Sequence, residues 1–138
     1  NKCENSQWEY LPCMTTAREL SPGAVVSESG ALPRIFVFGG GYGDAGDSCE
    51  FLDVGGDQQA TPQRWTLIEA KMKAPRSRTT AAQLNVNTVV VCGGRDEDDQ
   101  EIARCEAFDL VTLTFSDFPD LIINWNLTGW ELTACRSI

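Results

Sequence analysis

The stretch Arg34-Ile35-Phe36-Val37-Phe38-Gly39-Gly40-Gly41 is matched 54 positions later by Thr88-Val89-Val90-Val91-Cys92-Gly93-Gly94-Arg95. This duplication constrains the fold more than any other feature of the chain. In each copy four consecutive apolar residues run directly into a Gly pair. The runs are too short for a helix and rich in β-branched and aromatic residues, so each reads as a strand. A strand with one wet face would alternate apolar with polar, whereas an unbroken apolar run requires cover on both faces. The Gly pairs mark places where a side chain does not fit, because backbones approach closely or because positive φ is needed.

The flanking segments repeat as well. Residues 23 to 29 read as a strand turning through Gly30 to Pro33 into the first apolar run, and Thr79 to Leu84 with the turn Asn85-Val86-Asn87 does the same for the second. A polar loop follows each Gly pair, Tyr42 to Asp47 and Asp96 to Glu101. Cys49-Glu50-Phe51-Leu52-Asp53 then matches Cys105-Glu106-Ala107-Phe108-Asp109 at a spacing of 56. Alternation puts Cys105, Ala107 and Asp109 on one face and Glu106 and Phe108 on the other. A fourth strand is expected around Trp65 and around Phe115, with the polar insertion Gly55 to Pro62 as a surface loop. Upstream, Trp8 leads to Met14 with Arg18 four residues on, and Trp65 leads to Met72 with Arg76 four residues on.

A period near 55 with four short strands per unit is the signature of a radial β-propeller, whose blades bury their faces against one another. The expectation is an all-β chain of four-stranded antiparallel blades. Residues 1–22 would end a preceding blade, 23–75 and 76–121 would form one blade each, and 122–138 would be a divergent tail. In that tail Leu121-Ile122-Ile123-Asn124-Trp125 stands where another Pro-Arg is due.

The order Gly39, Gly40, Glu50, Asp53, Trp65, Met72, Pro75, Arg76, followed by Gly93, Gly94, Glu106, Phe108, Asp109 and Phe115, resembles the kelch repeat over about residues 8 to 121. The usual Tyr before the Asp is Leu52 in one copy and Phe108 in the other, and the usual Trp is Phe115 in the second, which keeps bulk and drops the polar handle. Two to two and a half blades are present, whereas closed propellers have about four to eight. The chain is therefore expected to be a segment of a longer protein, the remainder of the ring coming from the same chain or from self-assembly of copies.

The resemblance implies a protein-protein interaction module, in a ubiquitin-ligase adaptor or a scaffold, in the cytoplasm. It also implies that the residue two after the Pro-Arg arginine, Arg78, points into a substrate pocket. Arg78 suits a partner's carboxylate or phosphate, or equally a local acid such as Asp53, Glu69 or a residue of a neighbouring blade. Independently of any family, propeller strands use their side chains for packing and leave the rim loops free to bind. The candidate partner-binding residues are Arg78, Ser77, Tyr42, Asp44, Arg95, Asp96, Glu97, Asp98 and Asp99. The acidic run from 96 to 101 suits a basic peptide, or is simply a solvated loop. The alternative that the resemblance allows is part of a propeller enzyme, a sialidase-like hydrolase or an oxidase, with its catalytic residues on missing blades.

A net charge of −9 argues against a nucleic-acid surface, which needs clustered Lys and Arg. The chain has no His, which removes Ser-His and Cys-His nucleophile systems and His-based copper or zinc sites. Neither catalysis nor a cofactor is expected. Six Cys, at 3, 13, 49, 92, 105 and 135, form no close pairs in sequence and read as reduced thiols. Cys49 and Cys105 hold equivalent places in consecutive blades, point the same way and are read as packing residues. The acids of the 96 to 101 run lack the spaced pattern of an EF-hand. No apolar run reaches the roughly 18 to 20 residues of a membrane span. Asn126-Leu127-Thr128 matches the glycosylation acceptor pattern.

Overall fold

The computed structural model describes residues 10–20, 22–28, 32–41, 43–55 and 63–121. They form two four-stranded antiparallel sheets, each a simple meander in chain order. The first contains β1 (Gly23–Ser27), β2 (Arg34–Phe38), β3 (Cys49–Asp53) and β4 (Trp65–Leu67). The second contains β5 (Thr80–Asn85), β6 (Thr88–Cys92), β7 (Cys105–Asp109) and β8 (Thr114–Phe118). Both apolar runs are second strands, and their registers with the third strands are equivalent. Ile35 lies opposite Leu52 and Val37 opposite Glu50, as Val89 lies opposite Phe108 and Val91 opposite Glu106.

The unbroken apolar runs are covered on both faces, as the absence of alternation requires. Phe36, Phe38, Cys49 and Phe51 of the first sheet share one core with Val89, Val91 and Phe108 of the second and with Leu110 in the turn after β7. Val37, Leu52 and Trp65 point the other way and pack with Met14 and Ile35. The segment that precedes β1 thus covers the first sheet as the first sheet covers the second. Trp65 fixes that segment by donating its indole N–H to the Pro12 carbonyl at 2.9 Å.

Aromatic rings fill the space between the sheets. Phe38 meets Phe108 edge-on with centroids 5.2 Å apart, and Phe36 meets the same ring at 5.9 Å. Phe108 in turn lies 4.8 Å from Phe115. Each such pair adds about 0.5–1.5 kcal/mol to the burial of the rings. At the other edge β1 lies against β5 so closely that a Cβ on Gly23 would stand 3.0 Å from the Ala81 Cβ. The sheets converge at β1 and β5 and are held apart by phenylalanines further out, which makes them two blades of an incomplete, propeller-like arrangement.

Boundaries differ from the sequence reading at several points, one being that β5 runs on to Asn85, which was expected in the turn. The strand expected over 23 to 29 is β1, ending at Ser27, and residues 29 to 31 lie outside the described residues. The strand expected at Thr79 starts at Thr80, because the Thr79 hydroxyl bonds the Cys92 carbonyl at 2.9 Å and closes the entry to the sheet. The loop after the first Gly pair is not simply polar: Gly43–Ala45 form a 3-10 turn with Ala45 buried. Trp8 and the tail from 122 to 138, with Asn126-Leu127-Thr128, fall outside the described residues.

Candidate functional site

Beneath each Gly-pair loop lies a buried arginine-glutamate pair. Glu50 and Glu106 sit at equivalent positions of β3 and β7, with side chains turned toward the segment that enters the blade. Arg76 Nη2 donates to Glu106 Oε1 at 2.6 Å, and the Lys73 backbone N–H donates to Oε2 at 2.9 Å. Arg76 Nη1 donates to the carbonyls of Gly93 and Arg104 at 3.1 and 2.9 Å. In the first blade Arg18 Nε donates to Glu50 Oε1 at 2.9 Å, and Nη1 reaches the carbonyls of Gly39, Ala45 and Ser48. Thr15 gives both its N–H (2.8 Å) and its hydroxyl (2.6 Å) to Glu50 Oε2. All four charged side chains are 0% accessible.

Charge and hydrogen bonding explain why such groups tolerate burial. Each arginine neutralises a buried carboxylate and satisfies loop carbonyls that would otherwise lack partners. Burial pushes the Glu50 carboxyl up, yet the Thr15 hydroxyl and N–H together with Arg18 bring it below the ordinary glutamate value. The loops above are thereby anchored from below.

The Gly pairs meet both conditions anticipated for them. Gly40 has φ 87 and Gly94 has φ 101. A Cβ on Gly40 would collide with Pro22 and the Glu19 carbonyl, and one on Gly94 with the Ser77 carbonyl. Close approach lets the Gly40 N–H donate to the Arg76 carbonyl at 3.0 Å, and Ser77 and Arg95 exchange N–H···O bonds of 2.9 Å. The segment carrying Arg78 is therefore stitched to the Gly-pair loops on either side of it.

Above this base lies an exposed, charged rim. Arg78 has φ 50, is about half exposed, and stands 3.6 Å from Asp99. Arg95 lies 3.3 Å from both the Asp99 and the Glu101 carboxylates. The Asp96 carboxylate accepts the backbone N–H groups of Asp98 and Gln100 and so shapes the loop. Glu97 reaches across to the Gly43 N–H at 3.4 Å, linking the two Gly-pair loops. Asp44 is exposed in the first turn of the 3-10 segment.

Most of the expected rim residues therefore meet, namely Arg78, Arg95, Asp96, Glu97, Asp98 and Asp99, with Asp44 on the adjoining loop. Ser77 does not join them: it is 1% exposed, and its hydroxyl bonds the Arg95 carbonyl, so it supports the loop from inside. Tyr42 lies outside the described residues. The acid that Arg78 faces is Asp99, not Asp53 or Glu69. Asp53 is paired with Arg34 at 2.7 Å, and Arg34 is stacked 4.7 Å above Phe51. Glu69 lines a shallow groove of about 420 Å³ with Phe51, Leu67, Ile68 and Leu113.

The sequence reading assigned no partner to Arg18 and passed over Thr15 and Ser48. The signal for Arg18 was present, since it follows Met14 at the interval by which Arg76 follows Met72. Cys49 is buried in the core with its thiol 3.9 Å from the Ala70 carbonyl, and burial pushes its pKa up to about 12.

Two four-stranded antiparallel blades converging on one edge, each with a buried ion pair under a Gly-pair loop, define the class as a partial β-propeller. Among solved structures the chain is similar to one titled "Structure of YjhT", with a TM-score of 0.58 and 19% sequence identity over 78% of this chain and 29% of that one. The likeness is one of fold, and the chain spans less than a third of that structure's length. A scan against protein-family models finds no match, and a search of curated proteins likewise finds none.

Proposed function

We propose that the chain is a kelch-type propeller segment whose charged rim binds a protein or peptide partner. The observation that carries this reading is the division between buried and exposed charge. Arg18, Glu50, Arg76 and Glu106 are inaccessible and hold the loops, while Arg78, Arg95, Asp99 and Glu101 stand in solvent directly above. The residues that resemble the kelch motif, the Gly pairs with Glu50, Glu106 and Arg76, are the ones that build this base, which supports the family reading physically.

Carboxylates outnumber cations on the rim, so a peptide with basic residues is the best complement. Arg78 adds a second mode of recognition. Its contact with Asp99 is long and exposed, worth less than about 1 kcal/mol, and is easily exchanged for a partner's carboxylate. Such a surface suits a substrate receptor within a ligase adaptor or a scaffold, working in the cytoplasm.

The test is selection of displayed peptides on the immobilised chain, followed by titration of the selected sequences against rim variants. Basic peptides are expected to emerge, with affinity falling about tenfold, or 1.4 kcal/mol, when Glu97 and Asp98 are replaced by Gln and Asn. Peptides that bind those variants unchanged, and are lost instead on Leu67→Lys in the groove, would sink the rim assignment.

A further inference from the structure

Cys92 and Cys105 lie directly opposite each other on β6 and β7. Leu110 donates to the Asn87 carbonyl at 2.7 Å, and Gly93 donates to the Arg104 carbonyl at 3.3 Å. These two bonds fix which opposed pairs of this ladder are hydrogen-bonded. Because bonded and non-bonded pairs alternate in antiparallel sheets, Cys92 and Cys105 form a non-hydrogen-bonded pair, with Cα atoms at about 4.5 Å. That separation falls within the roughly 4.4–6.8 Å that a disulfide spans. Both thiols are free. The equivalent pair in the first blade is Phe38 with Cys49, so the repeat itself does not call for two cysteines here.

We propose that Cys92 and Cys105 are a cross-strand dithiol that closes reversibly to a disulfide, a redox modification site at the base of the Gly93-Gly94 loop. Opposed Cβ atoms in such pairs stand about 4.5–5.5 Å apart, more than the roughly 3.5–4.5 Å of a relaxed disulfide. The bond therefore forms under strain and is readily reduced. It also has leverage: the residues next to the pair, Gly93 and Arg104, supply the two carbonyls that Arg76 Nη1 binds. Drawing β6 and β7 together at this point acts directly on the support of the 95 to 101 loop.

Cys92 is partly exposed and Cys105 is buried, which makes Cys92 the point of entry. With glutathione disulfide as oxidant, the Cys92 thiolate attacks one of its sulfurs and releases one glutathione thiolate, which takes up a proton. The Cys105 thiolate then attacks the Cys92 sulfur and releases the second glutathione. The protein loses two hydrogens and the oxidant becomes two thiols. Burial first, then the neighbouring Cys105, pushes the Cys92 pKa up to about 12. Thiolate is scarce at neutral pH and closure quickens as pH rises.

The test equilibrates the chain with graded ratios of oxidised and reduced glutathione, alkylates the remaining thiols, and maps the digest by mass. A peptide pair linked through Cys92 and Cys105, lighter by two hydrogens and abolished by dithiothreitol, is expected at oxidising ratios. Cys105→Ser should halt the reaction at a glutathione adduct on Cys92, with the fold retained by circular dichroism. Alkylation of both thiols at every ratio would overturn the proposal. So would a link from Cys92 to Cys3, Cys13 or Cys135, or an adduct on Cys92 that persists beside a free Cys105.

Discussion

The two blades hold their loops with the same charges in different ways. Arg18 meets Glu50 through Nε, and its Nη2 donates to the Ser48 hydroxyl at 3.0 Å. Arg76 meets Glu106 through Nη2, and its Nε has no partner among the described residues. The residue equivalent to Ser48 in the second blade is Arg104, which offers no hydroxyl acceptor. Glu50 also takes two bonds from Thr15, whereas the corresponding Lys73 gives Glu106 only its backbone N–H. A repeat can thus preserve a buried ion pair while its short polar neighbours decide how fully the pair is satisfied.

The largest test of this contrast is removal of each arginine. Breaking a buried pair costs on the order of 3–5 kcal/mol, and chemical denaturation should place Arg76→Ala toward the upper end. Arg18→Ala should cost about 1 kcal/mol less, because Thr15 still serves Glu50; an equal or larger loss for Arg18→Ala would show that the loop carbonyls and the Ser48 hydroxyl it leaves unpaired outweigh the Thr15 bonds. Next come the glycines of the second blade. Gly93 and Gly94 both have positive φ, but a Cβ on Gly93 has room beside Leu121. Gly93→Ala is expected to cost about 1–2 kcal/mol, the left-handed penalty alone, and Gly94→Ala distinctly more because of the Ser77 carbonyl.

A smaller effect than that of Gly94→Ala is expected from Ser48→Ala, about 1.5 kcal/mol for one bond to a charged group, read as a shift in the denaturation midpoint. The first pair also carries a pH dependence. The folded Glu50 lies below its ordinary value, so its stabilisation is complete above about pH 4.3 and fades as pH falls through the folded value. Glu50→Gln should accordingly lower stability at pH 7 and flatten its decline below pH 4. The smallest effect belongs to the exposed pair of Lys73 with Asp117. Asp117→Asn should leave the thermal midpoint unchanged within error, and a measurable drop would mean that surface charge rivals the buried pairs.

What could be read from the sequence was what repeats along one strand. The apolar runs, the matched strands beginning Cys49-Glu50 and Cys105-Glu106, and the Gly pairs are local patterns, and they led to the four-stranded antiparallel blades. The acidic loop beside Arg78 was legible because the residues that build it are close in sequence. Burial of Ser77 and the partners of Arg34, Arg18 and Arg78 were not legible, since each depends on atoms brought from 18 to 32 positions away. Backbone geometry compounded this: Arg78 is aimed at Asp99 by its positive φ, a conformation that its residue type does not announce.

Leu20 and Arg78 share that left-handed backbone at equivalent places, and the Arg78 amide donates to the Leu20 carbonyl at 2.7 Å. The bond is directional and involves no side chain, so each unit hands the next a generic socket, and the Arg78 carbonyl is the corresponding group for any unit that follows. Nothing in such a linkage records an ordinal. How many units close a circle is then a matter of wedge angle, set by how far Phe36, Phe38 and Phe108 prop neighbouring sheets apart. A chain built this way can gain or lose whole units by duplication or deletion of its coding sequence, without the surviving joints having to be reinvented.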